Sequence, residues 1–345
     1  MTPRFVVSSG RCGSTLLSQM LRLHRDVLSL FDLFVTLIPH AFPTGPVSGE
    51  QFWELLTRPR RQYTLMLRLG ISTPEMRYRP GPGRRFTAET GVPPLLLIAL
   101  PHLVDDPDAL LDELGQVVPA FDARPIGEQY ERLFAWLCQR LDRKVWVERS
   151  GSSLDWLEDL IAHFPDARFV HLYRDGRDCA VSMAFHDGFK FPALGRRLQR
   201  RLGTDPYQSD LEPAKAVPRA LSPFMPETFD RERYQALQLP VAEQGMTWSR
   251  MVVRGCELLG RLDPDRVLPL RYETLLAEPA GTLRRLAAFL EIAADEPWLE
   301  RAAGLVRPQP PRWPQLPETE RHELIEACGP GMRLLYGTET EIVGP

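Results

Sequence analysis

The chain has 345 residues, with 42 Lys and Arg against 45 Asp and Glu, a formal charge of −3, and 43% hydrophobic residues. These values exclude a wholly disordered, collagenous or coiled-coil chain and give no global reason to expect nucleic-acid binding. Only three of the bases are lysines (Lys144, Lys190 and Lys215), and the 33 prolines are about twice the usual share of roughly 5%.

Phe5-Val6-Val7 reads as a short buried strand ending at Ser8-Ser9-Gly10. Apolar positions 16, 17, 20, 21 and 23 then give a helical period. A second strand is expected over Val27–Leu30, and helices over 50–58 and 61–69, broken at Pro59. The Pro-, Gly- and Arg-rich stretch from Thr73 to Pro94 reads as loop, and Ile126–Leu141 as an amphipathic helix. A second strand–loop–helix unit is predicted at 145–148, 149–152 and 154–163, and a third at 168–173, 174–177 and 178–185. Residues 187–244 show little periodicity; a helix resumes at 246–262, followed by a strand at 266–270 and a helical remainder with a Pro-rich stretch at 308–317. Strands alternating with helices predict an α/β fold around a central, mostly parallel sheet flanked by helices. One domain over 1–345 is expected, with 187–245 as an acceptor-side lid or insertion, since that stretch is too long for an ordinary connection.

Five scattered cysteines without a CxxC pair or a Cys/His cluster suggest neither a disulfide frame nor a zinc site, and no metal is expected. They fit a reducing, cytoplasmic setting. The N-terminus shows no signal-peptide pattern, and the most apolar run, Pro93–Leu103, is too short to span a bilayer.

Two turns carry the chemistry. Gly10-Arg11-Cys12-Gly13-Ser14-Thr15-Leu16 sits between strand and helix, where backbone N–H groups can cradle a phosphate or sulfate. Ser14 and Thr15 add hydroxyl donors and Arg11 adds charge. A Walker loop would place a lysine before the Ser, and that lysine is missing, which disfavours a Mg-nucleotide hydrolase or a P-loop kinase. At the third unit, Arg174-Asp175-Gly176-Arg177-Asp178 precedes Ser182, and Arg174 and Ser182 could hold a second phosphate. The alternative is a salt-bridge cluster among Arg174, Asp175, Arg177 and Asp178.

With these motifs the chain resembles the sulfotransferases that use 3′-phosphoadenosine 5′-phosphosulfate (PAPS). The first turn is similar to the family's 5′-phosphosulfate loop: Arg11, Gly13, Ser14, Thr15 and Leu16 match, Cys12 replaces the usual serine and Gly10 the usual proline. The second resembles the 3′-phosphate motif, with Arg174 and Ser182 on its two ligand positions, in a form closer to the tyrosylprotein branch than to the cytosolic hormone-sulfating branch. A third match, Leu270 to Pro279 followed by Ala288-Phe289-Leu290, places Tyr272 as a cofactor contact. The resemblance spans roughly residues 4–290. It implies a P-loop-like three-layer fold, PAPS as cofactor without a metal, and transfer of a sulfuryl group to a hydroxyl, with an amine as second choice, of a small-molecule acceptor. It leaves open a nucleotide-binding relative without catalysis, and a homodimer as one outcome for assembly.

Sulfuryl transfer needs a cation at the leaving oxygen and a base for the acceptor proton. Arg11 is the first cation. Arg149 is the second, because Glu148-Arg149 resembles a family segment whose lysine contacts the transferring group. Asp32 is the favoured base, standing 21 positions after Arg11, where several branches carry a glutamate. Its alternative role is a helix N-cap. Glu148 and His186 are the competing bases. His171 reads as a core residue, His24 as a partner for a helix C-terminus, and Trp248 as either a core or an adenine-stacking residue. Leu194, Leu198 and Leu202 with arginines between them suggest a helix that is either a basic docking face or an ordinary solvated one.

Overall fold

The computed structural model describes residues 1–81, 83–209, 211, 215–307 and 309–337. Its main sheet has five strands: β1 (Arg4–Val7), β2 (Val27–Phe31), β5 (Val145–Arg149), β6 (Arg168–Tyr173) and β7 (Val267–Arg271). Two residues each of β3 (Pro46–Val47) and β4 (Arg124–Pro125) form a separate antiparallel pair. The main order is β2-β5-β1-β6-β7, and every neighbouring pair is parallel.

This arrangement follows from the strand sequences. Arg4–Val7 is buried throughout, as a central strand covered on both faces must be. Phe5 anchors the core, with ring centroids 4.9 Å from Phe164, 5.5 Å from Trp146 and 5.8 Å from Phe169. At the C-terminal end, the helix Val241–Leu259 packs against Gly176–Ala184 and Glu318–Tyr336 around Trp248. A Cβ at Gly176 would lie 2.4 Å from the Trp248 ring, and one at Gly331 2.6 Å. Trp248 is therefore a core residue and faces no ligand.

All five strands and the expected helices form, with ends shifted by a few residues. Several described elements were not expected, two helical segments chief among them. The run Leu95–Leu103 is a buried π-helical turn continuing into an α-helical one, and Pro107–Val117 is a helix. Asp187–Leu202 is a 16-residue helix, so the expectation of little regular structure from residue 187 onward is corrected. Pro192 inside it hides the period, but Leu194, Leu198 and Leu202 are buried while Arg196, Arg200 and Arg201 are exposed. That is an ordinary amphipathic pattern. Beyond it, the described residues of 203–240 hold only the short turn Ser222–Phe224 and the helix Arg231–Ala236. Asp210, residues 212–214 and Pro308 of the Pro-rich stretch lie outside the described residues. Among the described residues no helix is long and apolar enough to cross a membrane.

Candidate active site

A parallel sheet brings the C-terminal ends of all its strands to one edge, and ligands bind in α/β sheets along that edge. Here a cavity of about 640 Å³ opens there. Val7 leads into the first turn, Phe31 into Asp32, Arg149 into Ser150-Gly151, Tyr173 into Arg174, and Arg271 into Tyr272.

The first turn is curled by three left-handed residues, Gly10 (φ +82°), Arg11 (+55°) and Gly13 (+88°). Such a curl points successive N–H groups to one side and makes an anion-binding hollow at the start of the helix Ser14–Arg22. Gly13 is required twice over, because a Cβ there would also sit 2.1 Å from the Tyr272 ring. The turn is pinned from below, where the Ser8 N–H donates to Ser153 Oγ at 3.0 Å and the Gly10 N–H to Ser8 Oγ at 3.3 Å. Gly10, Arg11, Gly13, Ser14 and Thr15 line the cavity. The Cys12 side chain is fully buried behind them, and burial pushes its thiol pKa up. Leu16 packs against the core.

At the third unit the helix begins at Gly176, two residues before the expected start, because the Asp175 side chain caps it by accepting from the Arg177 N–H at 2.9 Å. Asp175 also pairs with Arg177 at 2.6 Å, and Asp178 with Arg174 at 3.1 Å. The salt-bridge cluster therefore forms, yet Arg174, Asp178 and Ser182 still line the cavity. The two turns meet where Arg11 Nε donates to Ser182 Oγ at 3.0 Å. Tyr272 lies behind this junction, its ring against Gly13 and 5.0 Å from the Arg174 guanidinium carbon.

Asp32 occupies the N-cap position of the short helix Leu33–Leu37, but its side chain does not cap it. Ser150 Oγ accepts the Phe34 N–H instead, at 3.1 Å. Asp32 Oδ1 accepts from Arg149 Nη1 at 2.9 Å and from the Gly151 N–H at 2.8 Å. Burial raises the Asp32 pKa, and the Arg149 charge opposes that rise. Arg149 is 3% exposed; its Nε donates to Ser18 Oγ at 2.9 Å and its guanidinium carbon lies 3.7 Å from the Phe31 ring centre. Arg149 Nη2 has no hydrogen-bond partner among the described residues. A buried donor without a partner is costly, and this one belongs to a residue lining the cavity. Glu148, one residue earlier, points to the other face of the strand, away from the cavity lining. It accepts from Ser150 Oγ at 2.5 Å, and burial, with the Asp32 charge adding, pushes its pKa up to about 8.

A carboxylate absent from the sequence reading completes the site. Glu75 Oε1 accepts from Arg11 Nη1 at 3.3 Å, and its Oε2 lies 3.2 Å from His186 Nε2. His186 Nδ1 accepts the Gly188 N–H at 3.2 Å, so the neutral imidazole carries its proton on Nε2 and donates it to Glu75. Both ring nitrogens are thus engaged. Burial alone would raise the Glu75 pKa, but hydrogen bonding, that from His186 first, opposes it and lowers the pKa. The one sequence signal for Glu75 is that it is the sole acid among the arginines between Thr73 and Phe86. Val35, Ile38, Tyr63, Met66, Met76 and Ile98 form an apolar wall beside Asp32 and Glu75.

The other two histidines singled out by the sequence, His24 and His171, are both buried. His24 Nδ1 accepts from the Asp26 N–H at 3.1 Å, and its Nε2 lies 2.8 Å from the Ala293 carbonyl oxygen. His171 is buried mid-strand, and burial lowers its pKa to about 4.

A family model described as "Sulfotransferase family" matches residues 123–216 and 213–296. The "Omega-hydroxy-beta-dihydromenaquinone-9 sulfotransferase Stf3" proteins of Mycobacterium bovis and Mycobacterium tuberculosis are each 26% identical over 302 residues, covering 87% of this chain. The match spans 65% of the length of these curated relatives. Among solved structures, sulfotransferase STF9 from Mycobacterium avium has 19% identity and a TM-score of 0.47, covering 99% of this chain and 78% of that one. The sulfotransferase domain of the Synechococcus PCC 7002 olefin synthase has 17% identity and a TM-score of 0.45, covering 95% of this chain and 94% of that domain.

Proposed function

From the premise that this chain belongs to the sulfotransferase family, we propose that it transfers the sulfuryl group of PAPS to the hydroxyl of a small-molecule acceptor. The observation that carries this reading is that two anion-binding turns line one cavity and touch through Arg11 and Ser182 at 3.0 Å. PAPS supplies the activated sulfuryl group, and the residues present fit its two anionic ends. The first turn, with Arg11, Gly13, Ser14, Thr15 and the backbone of Cys12 and Leu16, would hold the phosphosulfate. Arg174 and Ser182 would hold the 3′-phosphate, with Tyr272 as the support that sets both turns.

Arg149 is the cation for charge developing on the leaving oxygen, since its Nη2 is the donor left without a protein partner. Asp32 is the proposed base. Its Oδ1 is fixed by Arg149 and Gly151, and fixing one oxygen aims the other at the cavity that Asp32 lines. Glu148 faces away, and His186 would have to give up its Gly188 hydrogen bond to accept a proton. These positions favour Asp32 over both.

The apolar wall suits an acceptor whose hydroxyl sits on an apolar body, in keeping with the hydroxylated menaquinone named for the Stf3 relatives. The test is calorimetric titration with 3′-phosphoadenosine 5′-phosphate against ATP with Mg²⁺. Binding of the first and not the second is expected; indifference to the 3′-phosphate nucleotide would overturn the reading.

A further inference from the structure

Arg11 carries a second anion besides the ligand it is suited to hold. Its Nε is on Ser182 and its Nη1 on Glu75, so this cavity-lining guanidinium already holds a carboxylate that also lines the cavity. Glu75 is held from the other side by His186, whose Nδ1 is tied to the start of its own helix. The result is one hydrogen-bonded chain from the donor turn, through Glu75, to the helix Asp187–Leu202. Glu75 also belongs to a segment without helix or strand, in which Thr73, Glu75 and Met76 all line the cavity.

We propose that Glu75 is a positioning residue that occupies Arg11 until the donor arrives. This rests on the reading of the cavity as a PAPS site. An anionic phosphosulfate and the Glu75 carboxylate cannot share one guanidinium edge without like-charge repulsion, so donor binding displaces Glu75 from Arg11. The low pKa of Glu75 keeps it ionised in the empty site, which makes it an effective competitor. His186 retains the displaced carboxylate through Oε2. The segment carrying Thr73 and Met76 is thereby released from the donor turn, so the acceptor wall takes its final shape only after the donor has bound. Donor-first order is the consequence.

The test uses the full chain, with 3′-phosphoadenosine 5′-phosphate as the probe in calorimetry. Glu75→Gln keeps the size and removes the charge; its single amide oxygen can still accept from His186 Nε2, while its NH2 cannot accept from Arg11. If Glu75 competes for Arg11, Glu75→Gln binds the nucleotide about five- to tenfold more tightly than the parent chain, as expected when a like charge leaves an anion site. A purely structural Glu75 predicts the opposite sign, since loosening Arg11 weakens binding. Glu75→Asp keeps the charge but withdraws it by one methylene, and its affinity should fall between the two. Equal or weaker binding by Glu75→Gln, with an unchanged thermal midpoint, overturns the proposal while leaving the PAPS reading intact. Absence of nucleotide binding by the parent chain removes both.

Discussion

On the proposed reading, the donor side and the acceptor side of the cavity are built in different ways. The donor side comes from two short turns, each contiguous in sequence and each fixed by its own strand and helix. Its chemistry resides in backbone N–H groups, a few hydroxyls and two arginines, so a stretch of eight or nine residues contains a complete half-site. The acceptor side is gathered from Val35, Ile38, Tyr63, Met66, Glu75, Met76 and Ile98, which come from several segments separated along the chain. A site made of local backbone geometry leaves a motif. A site made of side chains meeting across a fold leaves none.

Asp32 and Arg149 stand where the two sides join, and the largest expected effect falls there. Arg149→Met strands a buried Asp32 carboxylate and should destabilise the protein by about 3–5 kcal/mol, read as denaturant unfolding. Adding Asp32→Asn should restore much of that loss. If the double variant is as unstable as the single one, the pair does not act as a unit.

The next test separates the two sides by function. Arg174→Ala should weaken binding of 3′-phosphoadenosine 5′-phosphate by about 2–5 kcal/mol, as removal of a charge-assisted anion contact does. Asp32→Asn should leave that binding nearly unchanged while lowering turnover by about 10²–10⁴-fold with an acceptor in hand. Unchanged turnover in Asp32→Asn would remove the base assignment.

The smallest effect is one of pH. Glu148 carries a pKa of about 8 in the folded chain against its ordinary 4.5, so folding takes up a proton between those values. The folded state binds more protons there, and stability contributed by Glu148 is lost as pH rises from about 4.5 towards 8. Glu148→Gln cannot ionise, so its melting temperature should gain on the parent chain steadily from pH 5 to pH 8. Parallel melting curves across that range would show that Glu148 is not held neutral.

How much of this was legible in the sequence divides along the same line. The five strands were readable because buried parallel strands are short apolar runs bounded by turn residues. Arg11, Ser14, Arg174 and Ser182, singled out in the sequence on two separate turns, all line one cavity. Leu95–Leu103 was not readable as a helix, because a run apolar on every side shows no period. Pro192 masked the start of Asp187–Leu202 in the same way. Glu75 sits in a Pro- and Arg-rich connection, and its importance comes entirely from meeting Arg11 and His186, partners far away in sequence. Tyr272 was readable as a site residue but not as a support. That role needs the closeness of its ring to Gly13, which spacing along the chain does not reveal.

β1 precedes the other strands of the main sheet along the chain, yet it lies at the centre of that sheet, with β5 and β6 as its neighbours there. Neither exists until more than 140 further residues have been made. The first turn follows β1 directly, and the ring that packs beneath it belongs to residue 272. An N-terminal fragment therefore cannot form the donor turn early and wait for the rest. A nascent chain halted before β5 would hold the buried strand β1 unpaired, a state that invites aggregation or chaperone capture. The turn that follows β1 is thus completed only once the chain has reached Tyr272.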